Sequence, residues 1–100
     1  MSDAVVPDHL RSTVDLLRRA YPGDIPERDY LCVVAILGEF MSERALGEVI
    51  SHCSAHHRLE VGNDWASLSR NRPMESEIER VRRVLVGVGL EAWIEEEPLS

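Results

Sequence analysis

The stretch DYLCVVAILGEFMSERALGEVISHCSAHH, Asp29–His57, decides the fold of this chain. Its first half is apolar on nearly every helical face, and its second half is apolar on one face only. A helix that is hydrophobic all round must be covered on all sides. We therefore expect a helix from Tyr30 to about Phe40, capped by Asp29, at the centre of the fold.

Periodicity alone cannot separate this first helix from a buried strand. The flanks favour a helix, because a capping Asp29 precedes the run and a Ser42-Glu43 helix start follows it. A second helix is predicted from Glu43 to about Ala55. The turn between the two helices is so short that they must be antiparallel or steeply crossed neighbours. The buried stripe of the second helix consists of Leu46, Val49, Ile50 and Cys53.

An earlier helix is predicted from Asp8 to Tyr21, because apolar residues recur there at helical spacing. Pro22 disfavours helix at the residue before it and should end this element. Residues 22–28 contain further Pro and Gly and form a turn-rich connection.

The second half of the chain is less regular. Residues 57–62 are predicted as a loop and residues 64–70 as a short helix. A long helix should start at Ser76, because Ser76 and Glu79 have the spacing of a capping box. Two glycines should end that helix, and three residues after them are expected to pack back on the bundle: Leu90, Trp93 and Ile94.

These elements predict an all-α protein. We expect a compact bundle of four main helices with a possible short fifth helix. One hundred residues suggest one domain, spanning 1–100. Residues 1–7 and 95–100 are expected to be flexible termini, the latter because it carries a run of glutamates.

The composition is that of an ordinary soluble globular protein, with 44% apolar and 29% charged residues. The start of the chain lacks the features of a signal peptide, and the longest fully apolar run, residues 31–37, is too short to span a bilayer. Two cysteines do not make a disulfide framework. We therefore expect a cytoplasmic protein without membrane contact, in which Cys32 and Cys53 are reduced, buried thiols.

Five short motifs occur in the order Tyr21-Pro22-Gly23, Ile25-Pro26, Asp29-Tyr30, Ser76-Glu77-Ile78-Glu79-Arg80-Val81-Arg82-Arg83-Val84-Leu85 and Gly89-Leu90. This order resembles a small actinobacterial family of unknown function, the domain-of-unknown-function family numbered 3349, over roughly residues 10–94. The resemblance implies a small all-helical cytoplasmic protein. The family has no established activity and lends no site residues. Members often have a Pro early in the second helix and a Trp after the closing Gly, where this chain has Cys32 and Leu90.

The strongest candidate for chemistry is the run His52-Cys53-Ser54-Ala55-His56-His57. On a continuous helix, Glu48, His52 and His56 form an i, i+4, i+8 stripe that could place two imidazoles and a carboxylate on one metal ion. The stripe also borders the buried face, where histidine is common, and no second cluster supplies a fourth ligand. We therefore predict no metal or cofactor and retain Glu48, His52 and His56 as candidate ligands only.

A helix-turn-helix reader of nucleic acid is the second alternative. The formal net charge of −7 opposes it, because phosphate binding depends on neutralising Lys and Arg. The exposed face of the second helix in the candidate motif would begin with Glu43 and carry Glu48, whereas base readout uses Arg, Asn or Gln. Glutamates also interrupt the only basic concentration, which consists of Arg70, Arg72, Arg80, Arg82 and Arg83.

No hydrolase or phosphate-loop motif is present in the sequence. By elimination, we predict a small non-enzymatic protein-interaction or adaptor module with an unknown partner. Its surface is expected near residues 56–72 or near the C-terminal Trp93, since an exposed Trp would be a binding hot spot. Homodimerisation is open, because a small bundle gains stability by covering an apolar face. The candidate surface residues are Trp65, Trp93, Arg80 and Arg83.

Overall fold

The computed structural model describes residues 6–96 of the chain, which contain six α-helices. The predicted all-α class is confirmed, whereas the predicted count of four main helices and a short fifth is too low. A 3₁₀ turn at Asp8–Leu10 precedes the first helix, and another at Ser67–Ser69 follows the fourth. The helices are α1 (Arg11–Ala20), α2 (Glu27–Leu37), α3 (Glu43–Cys53), α4 (Arg58–Ala66), α5 (Glu75–Gly87) and α6 (Leu90–Glu96).

The apolar helix α2 lies at the centre, as the sequence predicts. Residues 32–37 are all buried, and α4 and α5 pack against it. The helix α1 packs against α3, α5 and α6. The chain path between α2 and α3 is short, yet α3 packs mainly on α4 and α1. The radius of gyration is 12.5 Å, close to the value of about 13 Å expected for a compact chain of this length.

The predicted start of α2 at Tyr30 is wrong, because the helix begins one turn earlier at Glu27 with Pro26 as its N-cap. The side chain of Asp29 therefore does not cap the helix. It is buried inside the first turn and binds Tyr21 and Arg80 instead. The helix also ends at Leu37, before the predicted Phe40.

Ser42 caps α3 as predicted, and its Oγ accepts a hydrogen bond from the Ala45 N–H at 3.2 Å. The helix ends at Cys53, two residues before the predicted end at Ala55. At this end of the helix Ser54 adopts an extended backbone. The freed carbonyl of Cys53 accepts a hydrogen bond from the Ile25 N–H at 3.0 Å.

The predicted loop at residues 57–62 is wrong, because these residues form the N-cap and first half of α4. The capping box that the sequence places at Ser76 and Glu79 is formed here instead, by His57 and Glu60. Helix α5 starts at Glu75 with Met74 as its N-cap, which leaves Ser76 inside the first turn.

The prediction that the C-terminal residues pack back on the bundle is confirmed. Gly89 has a φ of 113°, a value that glycine adopts without steric cost, and the chain then enters α6. Leu90 and Trp93 of this helix are buried. Of the predicted flexible termini, residues 1–5 and 97–100 lie outside the described residues, and Glu95 and Glu96 belong to α6. No helix in the described range is long and apolar enough to cross a membrane.

Substitutions of Ser42 and Ser76 test the starts of α3 and α5. Replacing Ser42 by alanine should lower the free energy of unfolding by about 1 kcal/mol, the usual loss for an N-cap. Replacing Ser76 by alanine should change it by less than about 0.5 kcal/mol, because that residue is exposed and caps nothing. Urea denaturation measures both values, and equal losses would show that α5 starts at Ser76.

Candidate functional site

An open groove of about 650 Å³ lies between α3 and α4. Its α4 side lies in residues 56–72, one of the two regions where the sequence predicts a partner surface, and its α3 side lies outside that region. Helix α3 contributes Glu43, Arg44 and Gly47 to its lining. Helix α4 contributes Arg58, Leu59, Gly62 and Asn63.

Two glycines allow α3 and α4 to approach each other at this groove. A Cβ on Gly47 would lie 3.0 Å from the carbonyl oxygen of Arg58, so the start of α4 passes directly over the α3 backbone. A Cβ on Gly62 would lie 2.5 Å from an Oε2 atom of Glu43, so that carboxylate lies against α4. Larger residues at these positions would force the two helices or their side chains apart.

The lining of the groove combines the apolar Leu59, the basic Arg44 and Arg58, and the carboxylate of Glu43. Leu59 is 71% exposed, the most exposed leucine that the structure describes. Arg44 is exposed, and Arg58 is only loosely paired, with 3.8 Å between its Nη1 and Oε1 of Glu48. The groove therefore offers an apolar contact flanked by guanidinium groups on a chain that is acidic as a whole.

A first polar cluster joins α1, α2 and α5 around Asp29. Its carboxylate accepts hydrogen bonds from Tyr21 Oη at 2.9 Å and from Arg80 Nη2 at 2.8 Å. Burial alone would raise the pKa of Asp29, but the hydrogen bonds from Arg80 and Tyr21 outweigh it and hold the pKa below its usual range. Burial and the nearby Asp29 raise the pKa of Tyr21. This cluster ties the helices together.

A second polar cluster lies at the start of α4 around His56. Its Nε2 lies 2.6 Å from Oε2 of Glu27 and its Nδ1 lies 3.1 Å from Oε1 of Glu60. The imidazole ring stacks on Tyr30 at 3.7 Å between ring centroids. Tyr30 in turn donates a hydrogen bond to Asp64 at 2.7 Å. The segment between α3 and α4 is thereby fixed to the first turn of α2.

Carboxylate oxygens lie near both ring nitrogens of His56, an arrangement that favours the imidazolium because only that form can donate from both nitrogens. Desolvation opposes the charge, but the hydrogen bonds and charges of Glu27 and Glu60 outweigh it and raise the pKa of His56.

The structure does not bring the three candidate metal ligands into one stripe. His52 Nε2 lies 3.6 Å from Oε2 of Glu48 and is buried without a hydrogen-bond partner. His56 lies beyond the end of α3 and faces Glu27 and Glu60 instead. Within residues 6–96, no group of three or more His, Cys, Asp or Glu residues could hold a metal ion.

The two tryptophans lie in different environments. Trp93 is buried, donates a hydrogen bond from Nε1 to Thr13 Oγ1 at 3.0 Å and meets the edge of Phe40. It therefore serves the core and not an exposed surface. Trp65 is half-buried, and its indole lies against Gly38, where a Cβ would be 2.5 Å from Nε1.

The predicted basic surface of α5 is interleaved with carboxylates. Arg80 binds both Asp29 and Glu77. Arg83 is 80% exposed and lies 3.8 Å from Glu79. Each arginine thus has an acidic neighbour, which is a weak arrangement for phosphate binding.

Both cysteines are buried free thiols. Burial raises the pKa of Cys53 to about 11 and, together with Asp29, raises that of Cys32. Because the thiolate is the reactive form, these environments make both side chains poor nucleophiles.

Comparison with known sequences places the chain in a family. The sequence profile described as "Protein of unknown function (DUF3349)" matches residues 8–93. The chain belongs to the DUF3349 family. No curated protein and no solved structure gives a significant match. The DUF3349 match covers all of α1 to α5 and part of α6, so the groove and both polar clusters lie inside the family region.

The sequence of this DUF3349 chain gives little indication of the contacts made by Leu59 and His56. Leu59 lies in the segment that the sequence predicts as a loop, whereas the structure places it in the first turn of α4. The contacts of His56 could not be found from spacing, since Glu27 is 29 residues away. Only the i,i+4 spacing of His56 and Glu60 was visible in the sequence.

Proposed function

We propose that this protein is a non-enzymatic protein-interaction module whose docking surface is the groove between α3 and α4. The observation that carries the proposal is Leu59, a large apolar side chain held in the open on the first turn of α4. An exposed leucine at the edge of a groove gains free energy when a partner's apolar side chain covers it and removes it from water.

The partner is an acidic protein segment that presents an apolar residue between carboxylates. Arg44 and Arg58 line the groove, and both guanidinium groups are accessible to a ligand. Arginine binds carboxylates in a bidentate manner. Complementary charge speeds association and selects the partner, while the apolar contact provides most of the affinity.

The proposed role is non-enzymatic, and two features favour it over catalysis. The ionisable side chains that lie closest together form ion pairs with each other, as in Asp29–Arg80 and His56–Glu27. The pKa values of both buried thiols are raised.

We also infer a cytoplasmic location from the free cysteines. An actinobacterial source fits the use of Arg for all 11 basic residues.

Selection from a library of random peptides tests the docking surface directly. Peptides that bind the wild-type protein should be enriched in acidic residues around one large apolar residue. Their affinity should fall at least about tenfold for Leu59→Ser and for the double variant Arg44→Gln/Arg58→Gln. Isothermal titration calorimetry measures the affinities.

Met74→Ser is the matched control, because Met74 is 72% exposed and lies outside the groove. It should bind the selected peptides as the wild type does. Both single variants replace exposed side chains and should change the free energy of unfolding by less than about 0.5 kcal/mol. Peptides without acidic residues, or peptides that bind Leu59→Ser with unchanged affinity, would overturn the proposal.

A further inference from the structure

We infer that the docking surface continues from the groove between α3 and α4, across the exposed face of α3, into a second groove beside the start of α1, so that one extended acidic segment covers both. The inference deepens the function proposed above and rests on it. It gives the partner segment a minimum length and a second point of contact.

The second groove is open and has a volume of about 440 Å³. It lies between the start of α3 and the 3₁₀ turn that precedes α1. Arg44 lines this groove and the groove between α3 and α4 alike. The two grooves are therefore neighbours that share one guanidinium group. The other residues that line the second groove are Pro7, His9, Leu10, Ser42, Ala45 and Glu48.

Helical geometry places Arg44 at the boundary between the two grooves. Successive side chains of an α-helix are rotated by about 100° around its axis. Gly47 of the first groove therefore lies about 60° to one side of Arg44, and Glu48 of the second groove lies about 40° to the other side. The opposite face of α3 carries the buried residues Leu46, Val49 and Ile50. The exposed face of α3 thus joins the grooves, with Arg44 at its centre.

The lining of the second groove suits an apolar side chain better than an acidic one. Three of its residues are apolar, namely Pro7, Leu10 and Ala45. Covering them removes apolar surface from water. The carboxylate of Glu48 also lines the groove and would repel a second carboxylate placed beside it. The acidic residue of the partner therefore belongs over Arg44, with an apolar residue on each side of it.

The width of α3 sets the spacing of these contacts. A helix with its side chains is about 10 Å wide, and an extended chain advances about 3.3 Å per residue. Crossing α3 therefore takes about three to four residues of the partner. We expect one apolar residue against Leu59, a carboxylate over Arg44 and a second apolar residue in the second groove.

The test uses random peptides of about twelve residues, selected on the wild-type protein, because about 40 Å of extended chain spans both grooves. The selected peptides should carry two apolar residues about four positions apart, with an acidic residue between them. His9→Glu places a carboxylate in the second groove at an exposed position. Because an apolar side chain would desolvate that carboxylate, the affinity of these peptides should fall about tenfold in isothermal titration calorimetry.

A thermodynamic cycle locates the second apolar residue. When that residue of the peptide is replaced by serine, His9→Glu should change the remaining affinity by less than about twofold. Arg83→Gln is the matched control, since it makes the same change in net charge at a side chain that is 80% exposed and lies outside both grooves. It should bind the unaltered peptides as the wild type does.

The outcomes separate the continuous surface from the docking proposal on which it rests. Selected peptides with a single apolar residue, or His9→Glu binding as tightly as Arg83→Gln, would overturn the continuous surface. If Leu59→Ser still weakened those peptides, the groove between α3 and α4 would stand alone. Peptides weakened by His9→Glu but not by Leu59→Ser would reject that groove and the continuous surface together.

Discussion

Replacing Trp93 by alanine should lower the free energy of unfolding by about 3–5 kcal/mol, the usual cost of removing a buried Trp. The indole is buried beneath α6 and meets the edge of Phe40, with 6.0 Å between ring centroids. Its Nε1 donates a hydrogen bond to the buried Thr13. Truncation of Trp93 therefore opens a cavity and leaves the buried hydroxyl of Thr13 without its hydrogen-bond donor. Urea denaturation with tryptophan fluorescence, which Trp65 still provides, measures the loss.

Two milder variants separate the packing of Trp93 from its hydrogen bond. Thr13→Val keeps the shape of the side chain but removes the acceptor, and should cost about 1–3 kcal/mol because Nε1 is left unpaired. Trp93→Phe should give an intermediate loss. A Trp93→Ala variant that lost less than about 1 kcal/mol would contradict the docking of α6 on α1.

Replacing Asp29 by alanine should lower the free energy of unfolding by about 2–3 kcal/mol. The side chain is 6% exposed and binds both Arg80 and Tyr21. Its removal leaves the Tyr21 hydroxyl without its acceptor and Arg80 without its buried partner. Breaking a fully buried pair costs about 3–5 kcal/mol, and the expected loss is smaller because the Arg80 side chain is 37% exposed to water. Urea denaturation at neutral pH measures this loss.

Glu77→Gln is the control for Asp29→Ala, because Glu77 binds the same guanidinium at 2.6 Å but is itself 48% exposed. It should cost less than about 1 kcal/mol, as is usual for exposed pairs. The lowered pKa of Asp29 adds a pH signature. Its contribution is present above the unfolded value of about 3.9 and is lost as the pH falls through the folded value. Asp29→Ala should therefore be less sensitive to acid than the wild type, and an unchanged acid sensitivity would contradict the account.

The helices themselves could be predicted from the sequence because their signals are local. The apolar run of α2 and the stripe of Leu46, Val49 and Ile50 repeat at helical spacing, and Ser42 caps α3 by a contact three residues away. The return of Leu90 and Trp93 to the core also follows from a short amphipathic pattern after Gly89.

The helix starts that were predicted wrongly depend on contacts distant in sequence. Asp29 is a good capping residue in isolation, but it bonds instead to Arg80, 51 positions away. His57 is a less common cap than Ser76, yet it caps α4 while Ser76 caps nothing. Propensity ranks such candidates but cannot choose between them when tertiary contacts compete.

The groove could be placed only coarsely from the sequence. The sequence predicts a partner surface near residues 56–72 or near Trp93, whereas the groove also includes Glu43, Arg44 and Gly47 of α3. Trp93 belongs to the core, and Arg80 binds Asp29. The groove depends on the close passage of α4 over Gly47, an approach between helices that no local pattern encodes.

The most direct test of the central claim is photocrosslinking in cells of the native source, with a photoreactive amino acid placed at position 59. The account predicts a crosslink to an acidic segment of one other protein, mapped by mass spectrometry, that is lost in Arg44→Gln/Arg58→Gln. The same amino acid at position 74, which is equally exposed, should not form it. The account would be contradicted if position 74 captured the same segment, if position 59 captured only a second copy of this chain, or if the crosslink survived loss of both arginines.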